Sequence, residues 1–108
     1  MVLQISVEEL DRALRAGEPV YLLDVRKPWE HAIAALPGSV LVPLDELLDC
    51  GDEIDPPEGA RIVAYCHHGV RSLSAAVLLE RLGHPGAASL RGGIDAWSLA
   101  IDPRVPRY

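Results

Sequence analysis

The sequence predicts an α/β domain built on a parallel sheet. Three observations point there. Short apolar segments alternate with stretches of helical pattern, the order of strand and crossover helix. Two of these segments, VYLLDV (residues 20–25) and RIVAYC (residues 61–66), are apolar almost throughout, as strands buried on both faces are. The chain has 108 residues, of which 49% are hydrophobic, enough for one core and hence one domain over residues 1–108.

The elements follow in order. Ser6 and Glu9 form an S-x-x-E capping box that opens a helix through about Ala16, closed by Gly17 and Pro19. Residues 20–25 are the first strand. KPWEHAIAA (residues 27–35) reads as a short helix with Pro28 in its first turn. Pro37-Gly38 signals a turn, and SVLVPL (residues 39–44) follows as the second strand. DELLDC (residues 45–50) reads as a short helix stopped by Gly51, and residues 52–60 as a polar, proline-broken loop. Residues 61–66 are the third strand. SLSAAVLLERL (residues 72–82) is the clearest helix, with Gly83 as its stop. AASL (residues 87–90) is a weaker fourth strand, IDAWSLA (residues 94–100) a last short helix, and residues 101–108 an extended tail broken by prolines. There is no repeat, low-complexity tract or internal linker.

Composition excludes several function classes. The formal charge is −6 and the basic residues are scattered, so no nucleic-acid footprint is present. No apolar run approaches the roughly 20 residues that span a bilayer, so no membrane role is expected. The start, MVLQISVEELDRALRAGE, lacks a basic segment followed by an apolar block, and the expected location is cytoplasmic. Two cysteines, Cys50 and Cys66, fall short of a secreted disulfide framework. CxxC and HExxH spacings are absent, so neither a metal nor another cofactor is expected.

The chemistry concentrates in YCHHGVRS (residues 65–72). Ligands of parallel sheets bind beyond the carboxyl ends of the strands, and Cys66 sits at such an end. Gly69 permits a tight curl. Successive N–H groups of the loop can then converge into an anion-binding nest, reinforced by the start of the next helix near Ser72. Arg71 adds a full charge and a fork of donors. All three favour a thiolate over a thiol. A lone cysteine at a strand end is more often inert core. The Gly69 turn, the spacing to Arg71 and the strand–loop–helix setting reverse that balance here.

Three motifs, in this order and spacing, make the chain resemble a single-domain rhodanese of the rhodanese-like sulfurtransferase superfamily. LLDVRKPWEHAIAALPGSVLVPL (residues 22–44) resembles the first signature, YCHHGVRS the active-site loop, and SLRGGIDAW (residues 89–97) the closing signature. The resemblance covers nearly the whole chain. It implies a five-stranded parallel sheet flanked by helices on both faces. It also implies a cysteine that accepts a sulfane sulfur as a persulfide, from thiosulfate or a related small anionic donor, and passes it to a thiophilic acceptor. That acceptor is cyanide, a thiol, or a thioredoxin-like or sulfur-carrier protein. Cys66 matches the nucleophile and Arg71 the loop arginine. Two departures stand out: Ala34-Ala35 replaces a common Gly-His, and His31 occupies a place that is usually aromatic, both read as differences in packing.

Loop length separates the chemistries available to such a fold. Four residues, His67, His68, Gly69 and Val70, separate Cys66 from Arg71. Phosphatase-type loops on the same fold carry five. The shorter cradle suits a sulfur atom better than a phosphoryl group with its equatorial oxygens. A phosphatase or arsenate reductase is thus the lesser reading, and a sulfur-relay domain serving a carrier protein the nearer alternative. A non-catalytic partner-binding domain is disfavoured by the cysteine itself.

The expected site is Cys66 as nucleophile, with His67, His68, Gly69, Val70, Arg71 and Ser72 binding the donor. Asp24 and Arg26 support it, first as a hydrogen-bonded pair, with Arg26 also able to help attract an anionic donor. Adjacent histidines rarely converge on one ion, so His67 and His68 are read as pocket rim. Cys50 is expected to be inert, Trp29 and Trp97 to pack, and Arg91 to be a surface charge.

Overall fold

The chain is described from a computed structural model, which describes residues 3–50 and 53–108. Its centre is set by alternation. Val63 and Tyr65 face one side of the sheet with Leu22, while Ile62, Ala64 and Cys66 face the other with Leu23. Each set is buried, which is why both strands read as nearly continuous apolar runs.

The elements are β1 (Leu3–Ile5), α1 (Val7–Arg15), β2 (Val20–Asp24), α2 (Pro28–Ile33), β3 (Val40–Leu41), a 3₁₀ turn (Leu44–Glu46), β4 (Arg61–Tyr65), α3 (Val70–Arg81), β5 (Ala88–Leu90) and α4 (Gly93–Ala100). The five strands pair in parallel in the order β1-β5-β4-β2-β3. One face is covered by α1 and α4, through Leu10, Ile94 and Trp97. The other is covered by α3 and the 3₁₀ turn, through Ala75, Leu79 and Leu47. The predicted sheet with helices on both faces is the one observed.

The capping box of α1 forms as expected: Ser6 Oγ accepts from Glu9 N at 3.1 Å, and Glu9 returns the bond to Ser6 N at 3.2 Å. Other elements differ from expectation. β1 is a strand with no counterpart among the expected elements. Residues 39–44 narrow to two paired residues before Pro43, which has no N–H to give to a ladder. Residues 45–50 make a 3₁₀ turn and irregular turns instead of a helix, and Gly51, its expected stop, lies outside the described residues. α3 starts at Val70, two residues earlier than expected, because Gly69 takes the N-cap position. Among the described residues no helix is long and apolar enough to cross a membrane.

Candidate active site

β4 ends at Tyr65, and the next residue, Cys66, points to the α3 face at 1% exposure. The loop turns at Gly69, whose φ of +98° is a left-handed conformation. A Cβ there would stand 3.0 Å from Gly92 N, so the turn is both strained and crowded for any other residue. The turn brings Gly69 N to 3.1 Å and Ser72 N to 3.4 Å from Cys66 Sγ, both as donors. The thiol reaches Ser72 Oγ at 3.5 Å, and Ser72 Oγ lies 2.7 Å from the buried Ser89 Oγ. Two N–H groups thus donate to one sulfur, and that sulfur in turn reaches the Ser72 hydroxyl, which Ser89 holds in place.

The loop's outer side is fixed by α4. Ile94 N donates to Cys66 O at 2.9 Å and Asp95 N to His67 O at 3.1 Å. The helix start can come this close because residue 93 is glycine. With φ at +63°, a Cβ on Gly93 would collide with the Cys66 and His67 carbonyl oxygens. Gly93→Ala should therefore displace the loop. Its stability should fall by about 1–3 kcal/mol from the backbone conformation alone, and the reaction rate of Cys66 with a thiol reagent should change per folded molecule. Gly86→Ala, at a site with nothing within 4 Å, is the neutral comparison. Urea unfolding and rates at equal folded fraction check both.

Arg71 does not brace the loop carbonyls. Its fork is bidentate on Glu30, with Nη1–Oε2 at 2.7 Å and Nη2–Oε1 at 2.8 Å. The Glu30 bond foremost, together with the charges of Glu30 and Cys66, holds the guanidinium above its ordinary pKa against the opposing effect of burial. Glu30 is 3% exposed and also accepts from Lys27 N at 3.0 Å. Arg71 foremost, then Lys27 N–H and Tyr108, pull its carboxyl from 4.5 down to about 2, against burial. A carboxyl lowered on folding stabilises above its unfolded value and loses that contribution as pH falls through its folded one. The melting-temperature advantage of wild type over Glu30→Gln should thus be full above pH 4.5 and shrink towards pH 2. A constant difference would contradict the pairing.

Asp24 and Arg26 are both fully buried. Arg26 Nε donates to Asp24 Oδ1 at 2.9 Å and Nη2 to Oδ2 at 2.7 Å, and Nη2 also reaches Ala34 O. Tyr65 Oη donates to Asp24 Oδ2 at 3.2 Å, and His31 Nδ1 lies 2.7 Å from the same oxygen. Burial raises the Asp24 carboxyl, but the bonds from Arg26 and His31 outweigh it and hold it below the ordinary range. The two side chains form a buried, doubly hydrogen-bonded pair. Its burial also removes Arg26 from direct contact with a donor, and His31 adds a polar bond as well as packing.

His67 and His68 stack on each other, with centroids 3.9 Å apart. Burial first and His68 second keep the His67 imidazole below its ordinary pKa, so it is neutral at pH 7. Their ligating atoms and those of Asp95 do converge, all within 4.8 Å, contrary to the expectation from spacing. Asp95, however, is already held by Arg107 at 2.8 Å, and the two rings are stacked on each other. Val70 is 73% exposed. Cys50 is half-buried, and burial together with Glu53, Glu46 and Asp49 pushes its thiol up.

A cavity of about 180 Å³ opens beside Arg71, lined also by Val25, Lys27, Pro43, Leu44 and Asp45. A second, of about 560 Å³, lies at the amino ends of β4 and β5 around Arg61 and His84, away from Cys66. Glu30, Ser89 and Tyr108 were not among the expected site residues. Only Glu30 had a local signal, as the acid three positions into a helix behind Pro28.

Comparison with known proteins gives the family. A family model described as a rhodanese-like domain matches residues 6–100. A sulfurtransferase of Allochromatium vinosum is 36% identical over 98 residues, covering 91% of this chain and 90% of its own. The adenylyltransferase and sulfurtransferase uba4 of Ogataea parapolymorpha is 34% identical over 105 residues, which cover 97% of this chain but only 26% of that protein. This chain thus spans about a quarter of such longer relatives. The human single-domain sulfurtransferase TSTD1 superposes with a TM-score of 0.77 at 28% identity, covering 93% of this chain and 98% of its own.

Proposed function

The chain belongs to the rhodanese-like sulfurtransferase family, and on that premise we propose that it moves sulfane sulfur from thiosulfate, or a related small anionic donor, through a persulfide on Cys66. The observation that supports this best is the convergence of Gly69 N, Ser72 N and Ser72 Oγ on Cys66 Sγ. The sulfur attacks the outer sulfur of thiosulfate. A new S–S bond forms, the S–S bond of thiosulfate breaks, and sulfite leaves with the electron pair. Cyanide or an acceptor thiolate then attacks the outer sulfur, and Cys66 departs as a thiolate. The charge that Sγ gives up in the first step returns to it in the second, where the N–H groups of Gly69 and Ser72 already point at it. Arg71 and Lys27, which line the small cavity, supply positive charge for the donor's oxygens against a net charge of −6.

The four-residue spacing from Cys66 to Arg71 supports sulfur over phosphoryl chemistry. Two free cysteines, one of them reactive, support a reducing compartment such as the cytoplasm. A second reading has the acceptor as a thioredoxin-like or sulfur-carrier protein. The likeness to a relative whose name joins adenylyl transfer and sulfur transfer favours it. No metal or other cofactor enters either scheme. Thiocyanate formation from thiosulfate and cyanide tests the function. Saturable turnover supports it. Absence of turnover together with hydrolysis of an aryl phosphate would favour the phosphatase reading.

A further inference from the structure

Residues 101–108 return from α4 to the mouth of the active site. Ser98 Oγ donates to Val105 O at 2.6 Å, Asp102 N donates to Trp97 O at 3.0 Å, and Arg107 is paired with Asp95 at 2.8 Å. Val105 and Tyr108 pack against the α1/α4 core, and Pro103 and Pro106 restrict the backbone between these anchors. The Tyr108 ring is thereby delivered to the loop. It stacks on His67 with centroids 3.9 Å apart and planes 8° apart, and meets Trp29 edge-on at 6.0 Å.

The hydroxyl has defined partners. It accepts from Arg26 Nη1 at 2.8 Å and donates to Glu30 Oε1 at 2.8 Å. Arg26 can only donate and an ionised Glu30 can only accept, so the direction of both bonds is fixed. Glu30 Oε1 is also the oxygen that receives Arg71 Nη2. One unbroken line of charge-assisted bonds runs Asp24, Arg26, Tyr108, Glu30, Arg71. It starts in a rigid buried pair and ends at the cation beside Cys66.

We propose that Tyr108 is a positioning residue for the reaction: by holding Glu30 against Arg26 it sets the direction in which Arg71 presents its charge to an anion approaching Cys66. The proposal rests on the reading that Cys66 reacts with an anionic donor. A ring that merely fills space needs neither bond of the hydroxyl.

The test uses alkylation of Cys66 in a Cys50→Ser background, followed by intact-protein mass. Iodoacetate and iodoacetamide share one chemistry and differ in charge, so the ratio of their rates reports guidance of anions and cancels intrinsic thiol reactivity. Tyr108→Phe keeps the ring and loses the hydroxyl. It should lower the ratio about fivefold, the scale of one ordinary net hydrogen bond, and leave the iodoacetamide rate nearly unchanged. Arg71→Gln should lower the ratio further. Adding Tyr108→Phe to Arg71→Gln should then change nothing more, because the tyrosine acts through the arginine. Tyr108→Gln, which keeps a donor and loses the ring, should retain more of the ratio than Tyr108→Leu. An unchanged ratio in Tyr108→Phe, or an equal fall in both backgrounds, would overturn the proposal. A wild-type chain that shows these ratios but takes no sulfur from thiosulfate would refute the proposed function and leave this role standing.

Discussion

Cys66→Ser should abolish sulfur transfer, reducing it to the uncatalysed level, while the fold persists. Serine places an oxygen where Gly69 N and Ser72 N already donate, so the loop keeps its bonds. The melting temperature should stay within about 4–8 °C of wild type, the shift that about 1 kcal/mol makes in a domain of this size. Chemistry fails because a serine oxygen cannot form the sulfur–sulfur bond on which the transfer depends. Cys50 cannot substitute. Among the described residues no N–H donates to its sulfur, and burial with three acidic neighbours disfavours its thiolate. Cys50→Ser should keep most of the activity. A dead Cys50→Ser, or an active Cys66→Ser, would place the nucleophile elsewhere.

Asp24→Ala should destabilise the domain by about 3–5 kcal/mol, because it leaves the fully buried Arg26 charge without its carboxylate. Tyr65 Oη and His31 lose an acceptor in the same step. Against a total stability of about 5–15 kcal/mol for such domains, this removes a large part of the whole. Asp11→Ala gives the scale. Its partner Arg15 is 76% exposed, and the loss should be below about 1 kcal/mol. Urea unfolding of both variants decides it. A cost below about 1 kcal/mol for Asp24→Ala would mean that Arg26 finds another partner or water.

What could be read in the sequence was local. The capping box needs only Ser6 and Glu9, and it formed. β2 and β4 declared themselves because burial on both faces demands an apolar run. The Cys66 loop was legible because its donors, Gly69 N and Ser72 N, come from its own next few residues. β1 escaped for the opposite reason. Three residues show no period, two of them are exposed, and only pairing with β5 makes them a strand. The short helix expected over residues 45–50 had too few turns to propagate without tertiary support. In the site, the misses were long-range partners. Glu30 meets Arg71 across 41 residues, Ser89 meets Ser72 across 17, and Tyr108 meets Glu30 across 78. Arg71 looked like a free fork because nothing near it in the chain announces its carboxylate. Gly92-Gly93 was legible as a motif but not as a reason. The reason is that α4 has to approach the Cys66 carbonyl.

Intact-protein mass after incubation with thiosulfate tests the central claim most directly. Wild type and Cys50→Ser should each gain the mass of one sulfur atom and lose it on adding cyanide, and Cys66→Ser should gain nothing. A wild-type chain that stays unmodified, or a Cys66→Ser chain that still takes up sulfur, would contradict the account.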